Sequence, residues 1–519
     1  MTAPNVSGKL KAIQKRGGKV IVIDPRRTKT ANKADLHLFV KPGTDVWLIL
    51  AIIQQVFERN ALKINHVEGI IDKEKLDQIK TATARFTPAL ASEITGIPII
   101  EIETLIDGYL AASSAAFYGR LGVSAAQHGG LCHWAINTLN ILTGNFDVAG
   151  GAMIPNPAIN VSGRKPKKIK FGRWVSRKDQ LPEFGGELPA TTMADEILES
   201  GEGQVKAMVT SCGNPVLSVP NGQKIDKAFA KLDFMVSIDI YLNETTRHAD
   251  IILPPATGLE TPHYGIFFHN LAVHNAAKFS EPSVEKEAGT KYDWEIFTEL
   301  TTQIALERAK RNNSIPPVLP KMTLETRLDQ MLRSGNTDLT LAELKKHPHG
   351  IDLGPMESNI AQRLLTDDKK IDIFPTIYQT ALAKLEIPNH ADQLLLIGRR
   401  HLRSNNSWLH NSYRMVKGRV RCTALINPID ASHFNIKDGD FVKVTSRVGQ
   451  VSIQAEISDE VGKGTISIPH GWGHHRKGIK MQVAADHAGV SMNDLVDDKL
   501  VDSLSGVAVI NGIPVTVEV

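Results

Sequence analysis

Along the first 150 residues the apolar positions switch between a helical and a strand period. Val6–Lys15 sets Leu10 and Ile13 against lysines on the other face, and Gly17-Gly18 closes that helix. Lys19-Val20-Ile21-Val22-Ile23-Asp24 then reads as a buried, β-branched strand. Residues 45–60 form a helix with Leu48, Ile49, Ile52, Ile53, Val56 and Phe57 turned inward. Ala115–Tyr118 reads as a short strand ending at Gly119-Arg120, and Cys132–Leu142 as a helix that breaks at Thr143-Gly144-Asn145. Such alternation predicts an α/β unit with a parallel, doubly wound sheet. Because it opens on helix then strand, without the strand that should come first, the chain is expected to start inside a domain.

Residues 151–190 lose this pattern and carry a basic loop: Arg164, Lys165, Lys167, Lys168, Lys170, Arg173, Arg177 and Lys178 precede the first acid, Asp179. A solvated face or a partner surface is the expectation for it. The α/β texture returns with strands at Val205–Thr210, Phe234–Ile240 and Ile251–Leu253 and a helix at Ile225–Lys231. Residues 280–390 are mainly helical and polar, with Trp294–Ala309 the clearest helix. From Gln393 short β-rich runs alternate with Gly, Asp and Asn turns: Leu394–Ile397, Phe441–Thr445, Gly449–Ile457, Thr465–Ile468, Val507–Ile510 and Val515–Val519. These predict a barrel. Three domains follow, at residues 1–150, 151–390 and 391–519.

The 519 residues hold 60 Lys plus Arg against 56 Asp plus Glu, a net charge of +4, which is too small for a nucleic-acid-coating protein. The three cysteines, Cys132, Cys212 and Cys422, form no CxxC, so neither a zinc ribbon, an iron–sulfur ligand run nor a disulfide framework is encoded. Val46–Ile53, the longest apolar run, is far below the ~20 residues a membrane span needs. With no secretory signal at the start, a cytoplasmic location is expected.

Asp24-Pro25-Arg26-Arg27-Thr28 lies at the carboxyl end of the first strand, where doubly wound sheets bind ligands. The acid there can accept ribose hydroxyls or a purine N–H edge, and Arg26, Arg27 and Thr28 offer phosphate donors. A strand-terminal turn with a solvated basic pair is the alternative. Gly43-Thr44-Asp45 is either an N-cap or an anion site at a helix N-terminus. Asp239 repeats the position of Asp24 at the end of a second strand. Gly213-Asn214-Pro215 reads locally as a turn. Gly398-Arg399-Arg400-His401-Leu402-Arg403-Ser404-Asn405-Asn406-Ser407 packs donors densely enough for an anionic, heteroatom-rich ligand. His470-Gly-Trp-Gly-His474-His475 is either an exposed loop or a metal site, exposure being the commoner case. No GxGxxG follows a strand and no GxxxxGK[ST], HExxH or GxSxG occurs, which argues against nicotinamide dehydrogenases, P-loop enzymes, zincins and serine hydrolases.

In order, these segments read Asp-Pro-Arg-x-Thr, Pro-Gly-Thr-Asp, Thr-Gly-Asn, Gly-Asn-Pro, Asp-Ile-x-x-x-Glu-Thr-x-x-x-Ala-Asp-x-Ile-Leu-Pro and Gly-Arg. The series resembles the molybdopterin oxidoreductases of the dimethyl-sulfoxide-reductase family, which include formate dehydrogenases, nitrate reductases and polysulfide or thiosulfate reductases. The resemblance spans essentially the whole chain.

It implies molybdenum or tungsten held by two molybdopterin guanine dinucleotides, whose dithiolene sulfurs suit a soft metal. Asp24, Arg26, Arg27 and Thr28, with Gly43, Thr44 and Asp45, would grip one guanosine diphosphate; Asp239, Asn214 and Asp293 would face the other. Gly398, Arg399, Arg400, His401, Ser404, Asn405 and Asn406 would line pterin and pyrophosphate, with Asn493 at the pterin end. Leu121-Gly122-Val123-Ser124-Ala125 stands where relatives show Met-Gly-x-Asn-Gln, with Gln127 a stand-in. A double-psi β-barrel is the implied last domain.

The family's 4Fe–4S domain and the protein ligand to the metal lie upstream of the matched region, so no catalytic residue or metal ligand is assigned here. The expected role is the C-terminal part of an enzyme performing two-electron chemistry on a small substrate of the formate, nitrate or sulfur-oxyanion class. The alternatives are half of a split subunit needing an iron–sulfur partner polypeptide, or a non-catalytic cofactor-binding remnant.

Overall fold

A computed structural model of the chain describes residues 3–64, 66–161, 171–317, 322–389 and 393–519. The first α/β unit is built around the helix Asp45–Glu58. Every residue from Val46 to Ile53 in it is buried, so it is apolar all round and lies in the middle of the core. Helices Gly129–Leu142, Pro88–Thr95, Lys73–Thr83 and Ile99–Ala111 surround it. Ile21–Ile23 pairs in parallel with Leu36–Leu38, Ile21 opposite Leu36.

Ala115–Tyr118 departs from expectation. It forms no strand, because two asparagines take the place of a ladder. Asn145 Oδ1 accepts from the Ala115 N–H at 2.8 Å. Asn140 accepts from the Phe117 N–H at 3.0 Å and donates back to the Phe117 carbonyl at 2.8 Å. Residues 371–385, distant in sequence, complete this core. Trp134 stacks on Phe374 and Tyr378 and donates its indole N–H to the Ile373 carbonyl at 2.8 Å.

The second unit holds a three-stranded parallel sheet in the order Ala207–Ser211, Phe234–Ile238, Ile251–Ile252. Helices Met193–Leu198 and Gly222–Phe229 cover one face, with Met235, Ile225 and Phe229 between them. The other face carries the register partners Ala207 and Phe234 and the row Val209, Val236 and Ile251. Phe234, Val209 and Ile251 there are each nearly half exposed. The long polar helix runs Asp293–Arg311.

The last unit is a closed six-stranded barrel, ordered Leu394–Arg399, Thr465–Pro469, Thr423–Ile426, Gln450–Ile457, Phe441–Thr445, Ile513–Glu518. Two of its pairings are parallel, Leu395 with Thr465 and Thr423 with Gln454, and the rest are antiparallel. This mixed closure is the expected double-psi barrel. The run 507–510 makes only a bridge, Val501 to Ala508. Thr423–Ile426, four buried residues behind a basic turn, is a barrel strand too short to stand out in the sequence.

Candidate cofactor site

The two strand-end acids are built alike. Asp24 follows Ile21–Ile23, and its Oδ1 accepts the Arg26 N–H at 2.8 Å. Asp239 follows Phe234–Ile238, and its Oδ1 accepts the Tyr241 N–H at 3.0 Å. In each case burial lifts the carboxyl above the ordinary aspartate range, and the N–H two residues on only partly offsets this. His37 donates from Nε2 to the Asp24 carbonyl at 3.0 Å, and its buried Nδ1 has no partner among the described residues.

Around Asp24 the crevice is shared with the barrel. The Arg27 N–H donates to the Glu460 carbonyl at 2.6 Å, and the Gly462 N–H to the Pro25 carbonyl at 3.0 Å. Arg26 reaches Glu460 at 3.6 Å, and the exposed Arg27 guanidinium lies 5.3 Å from the Phe39 ring centre. Thr28 uses its hydroxyl oxygen to cap the next turn, accepting from the Ala31 N–H at 3.2 Å. Gly43 takes φ +82°, a turn that favours glycine, and open space lies where its Cβ would be. The buried Thr44 hydroxyl donates to the Lys41 carbonyl at 2.6 Å rather than capping the helix. Burial, with the charge of Asp24 adding to it, pushes the Asp45 carboxyl up to about 6.

At the second crevice Asp239 also accepts from Asn243 Nδ2 at 3.3 Å. Asp293 opens the long helix, and both Asp239 and Asp293 act electrostatically on the exposed Cys212. Asn214 does not point into open space. It donates to Glu244 Oε2 at 2.7 Å and accepts from the Thr245 hydroxyl at 2.7 Å. Leu121 and Gly122 are exposed on the short helix Leu121–Ser124, which the Ile510 and Asn511 N–H groups tie to the barrel through the Ala125 carbonyl at 2.9 and 3.1 Å. Gln127, on the same loop, is exposed.

At the barrel mouth, Arg400, His401, Ser404, Asn405 and Asn406 line a cavity of about 420 Å³ together with Leu402, Leu409 and His470. Gly398, next to last in the first barrel strand, donates its N–H to Asn511 Oδ1 at 3.1 Å. Arg399 differs from its neighbours. Its guanidinium turns into the barrel wall, donating to the Ser467 carbonyl, to Thr423 Oγ1 at 2.9 Å and to the Arg421 carbonyl at 3.3 Å. Burial there lowers its pKa to about 10. Asn493 is buried and bonds His470, a group that burial and the Arg400 charge hold below the ordinary histidine range.

The 470–475 loop corrects the sequence reading. His475 is exposed, but His474 is fully buried, as are His410 and Glu244. His474 Nδ1 meets Glu244 Oε1 at 2.8 Å, its Nε2 meets His410 Nδ1 at 2.9 Å, and His410 Nε2 meets Ser404 Oγ at 2.8 Å. His410 stacks on Trp472, ring centres 4.0 Å apart, and burial followed by the His474 charge pushes it down to about 3. This chain joins three segments with no shared motif. Its only sequence signal is a histidine set beside Trp408 and Leu409 at the end of the donor-rich loop.

The basic loop is also less free than its composition suggests. Arg173 pairs with the buried Glu183 at 2.5 Å, Arg177 donates to the Glu199 carbonyl, and Lys178 meets Glu199 at 2.5 Å. Arg164, Lys165, Lys167, Lys168 and Lys170 lie outside the described residues.

Comparison with known proteins bears on this geometry. A family model described as molybdopterin oxidoreductase matches residues 2–303, and one described as molydopterin dinucleotide binding domain matches residues 394–514. The assimilatory nitrate reductase catalytic subunit of Bacillus subtilis is 23% identical, over 90% of this chain and 68% of its own length. Formate dehydrogenase H of Escherichia coli is 25% identical, over 90% and 66%. The dimethyl sulfoxide/trimethylamine N-oxide reductase of Cereibacter sphaeroides is 25% identical, over 89% and 62%. Among solved structures, acetylene hydratase from Pelobacter acetylenicus superposes with a TM-score of 0.79 at 19% identity, covering 99% of this chain and 75% of that one.

Proposed function

The chain belongs to the molybdopterin oxidoreductase family, and from that membership we propose that it forms the cofactor-holding part of an enzyme for two-electron conversion of a small substrate. The formate, nitrate or sulfur-oxyanion class is the substrate range. The cofactor is a bis(molybdopterin guanine dinucleotide) centre of molybdenum or tungsten. When bound, that group supplies the redox chemistry.

The residues present fit it. Asp24 and Asp239 each put a half-desolvated carboxylate where a guanine N–H edge would lie, and the orphaned His37 Nδ1 beside Asp24 still requires a donor. Arg26, Arg27 and Thr28 follow the first acid in the chain, Asp293 acts with the second on Cys212, and Asn214 is held by Glu244 and Thr245. Arg400, His401, Asn405 and Asn406 offer cations and amides to pyrophosphate and pterin edges, while Arg399 acts by holding the barrel strand in place. The observation that carries the reading is the matched pair of strand-end acids, Asp24 partly buried and Asp239 buried, each bonded to the N–H two residues on.

The test is stoichiometry. Purified protein from a host that makes the cofactor should release two guanine nucleotides per chain on acid hydrolysis, with one molybdenum or tungsten. Protein that is folded and carries neither overturns the reading.

A second reading, that the chain works with a further polypeptide bearing iron–sulfur centres, is favoured by the open face of the second sheet. Parallel sheets are ordinarily covered on both faces, yet Val209, Phe234 and Ile251 are not. Co-expression with a candidate partner should protect that face from hydrogen exchange, and unchanged exchange would refute it.

A further inference from the structure

The chain Glu244–His474–His410–Ser404 has a polarity that the surrounding protein fixes at one end. The Val216 N–H donates to Thr245 Oγ1 at 3.2 Å, so the Thr245 hydroxyl proton goes to Asn214 Oδ1, and Asn214 Nδ2 donates to Glu244 Oε2. Glu244 therefore accepts from both sides, and His474 donates to it from Nδ1. With both rings neutral, His410 donates from Nδ1 to His474 Nε2, and Ser404 donates its hydroxyl proton to His410 Nε2. Ser404, one of the residues lining the 420 Å³ cavity, then keeps lone pairs on its oxygen as an acceptor.

We propose that these four side chains form a proton relay that carries one proton between the cavity at Ser404 and the His474–Glu244 pair. A proton arriving at Ser404 Oγ, from solvent or from a protic group of the cavity's occupant, bonds there as the existing Ser404 O–H bond breaks toward His410 Nε2. The His410 Nδ1–H bond breaks toward His474 Nε2. His474 ends with both nitrogens protonated against the Glu244 carboxylate, His410 stays neutral with its proton on the other nitrogen, and Ser404 now donates into the cavity. One proton enters and one positive charge appears, on the ring that has a carboxylate at 2.8 Å. His410, pushed down by burial and by that neighbour, passes the proton on rather than keeping it. Glu244, lifted by burial but lowered further by His474 and Asn214, stays ionised.

The charged groups facing the relay are Glu244 at one end and His401, Arg400 and His470 across the cavity at the other. Arg476, close behind His474 in sequence, is paired with Asp226 and Asp494. The inference rests on the reading that this cavity holds the cofactor's pterin end, and it gives that end a route for proton exchange. His410 and His474 are positioning and proton-transfer groups here, while Ser404 is the one that meets the occupant.

Nitrogen-15 NMR of histidine-labelled full chain tests the relay directly. When a proton is loaded onto the relay, His410 should exchange Nδ1–H for Nε2–H without becoming charged. A His474 that keeps one protonation state throughout overturns the relay, as does a His410 that keeps one tautomer or charges itself. In Glu244→Gln, Asn214 forces the amide oxygen toward itself and the amide N–H toward His474, so His410 should hold Nε2–H at every pH. A pH-dependent tautomer in that variant counts against the proposal. Ser404→Ala removes the hydroxyl that meets His410 Nε2, so the midpoint of the His410 tautomer exchange should move about tenfold in proton concentration; an unmoved midpoint refutes the link to the cavity. Because tautomers are read without reference to bound metal or nucleotide, failure here leaves the cofactor reading standing, and absence of cofactor leaves the relay standing.

Discussion

Glu244 and His474, 230 positions apart, meet at 2.8 Å with neither side chain exposed. One comes from the second α/β unit and the other from the barrel loop, so the contact ties the two together. Removing Glu244 leaves the buried His474 Nδ1–H without its acceptor, a loss of about 1–3 kcal/mol. Glu244→Ala should therefore lower the urea midpoint sharply. The pH dependence follows from the depressed Glu244 carboxyl. Its contribution is complete above the ordinary glutamate range and is lost as pH falls through the lower folded value. The gap between wild type and variant should close in strong acid, where the carboxyl itself is protonated.

The two strand-end acids should be separable by counting nucleotides. Asp24→Ala should leave the guanine at the second crevice, and Asp239→Ala the one at the first, each halving the guanine released per chain. A single variant that empties both, or neither, contradicts two independent grips.

Asp45 gives the opposite pH sign to Glu244. Its carboxyl is raised from 3.8 to about 6 by burial and by Asp24, so between those values the folded state holds a proton that the unfolded chain releases. Stability falls as pH rises through that window and levels off above it. The helix N-terminus favours the charged form and trims the effect to about 1–2 kcal/mol. Asp45→Asn should match wild type in thermal midpoint near pH 4 and exceed it at pH 8.

Adjacent arginines should fail differently. Arg399→Ala strips donors from three barrel oxygens and should cost about 1–3 kcal/mol in unfolding free energy, with cofactor lost only as the barrel loosens. Arg400→Ala touches the cavity and should leave stability within about 0.5 kcal/mol while lowering cofactor retention about tenfold. Denaturation curves beside metal analysis separate the two.

What the sequence made legible was periodic or local. The apolar helix at 45–58, the strands that end on Asp24 and Asp239, and the barrel runs all carry their own pattern, and the donor-rich segment after Gly398 does line a cavity. What stayed hidden depends on partners far along the chain. Ala115–Tyr118 has strand composition, but Asn140 and Asn145 satisfy its backbone with side chains. Arg399 and Arg400 look equivalent in sequence, and only barrel closure turns one inward. His474 reads as a loop histidine until Glu244 and His410 are folded onto it.

The seam between the Asp24 turn and the barrel also makes one site depend on two distant segments. Residues 25–27 lean on 460–462, and Gly512 closes against Pro42 and Gly43. The strand that seals the cylinder, Ile513–Glu518, pairs with Leu394–Arg399 and Phe441–Thr445. The first crevice is thus walled by segments that lie far apart along the chain. The crevice is therefore complete only when the barrel has closed against the Asp24 turn, and whatever fills it fastens the first unit to the last.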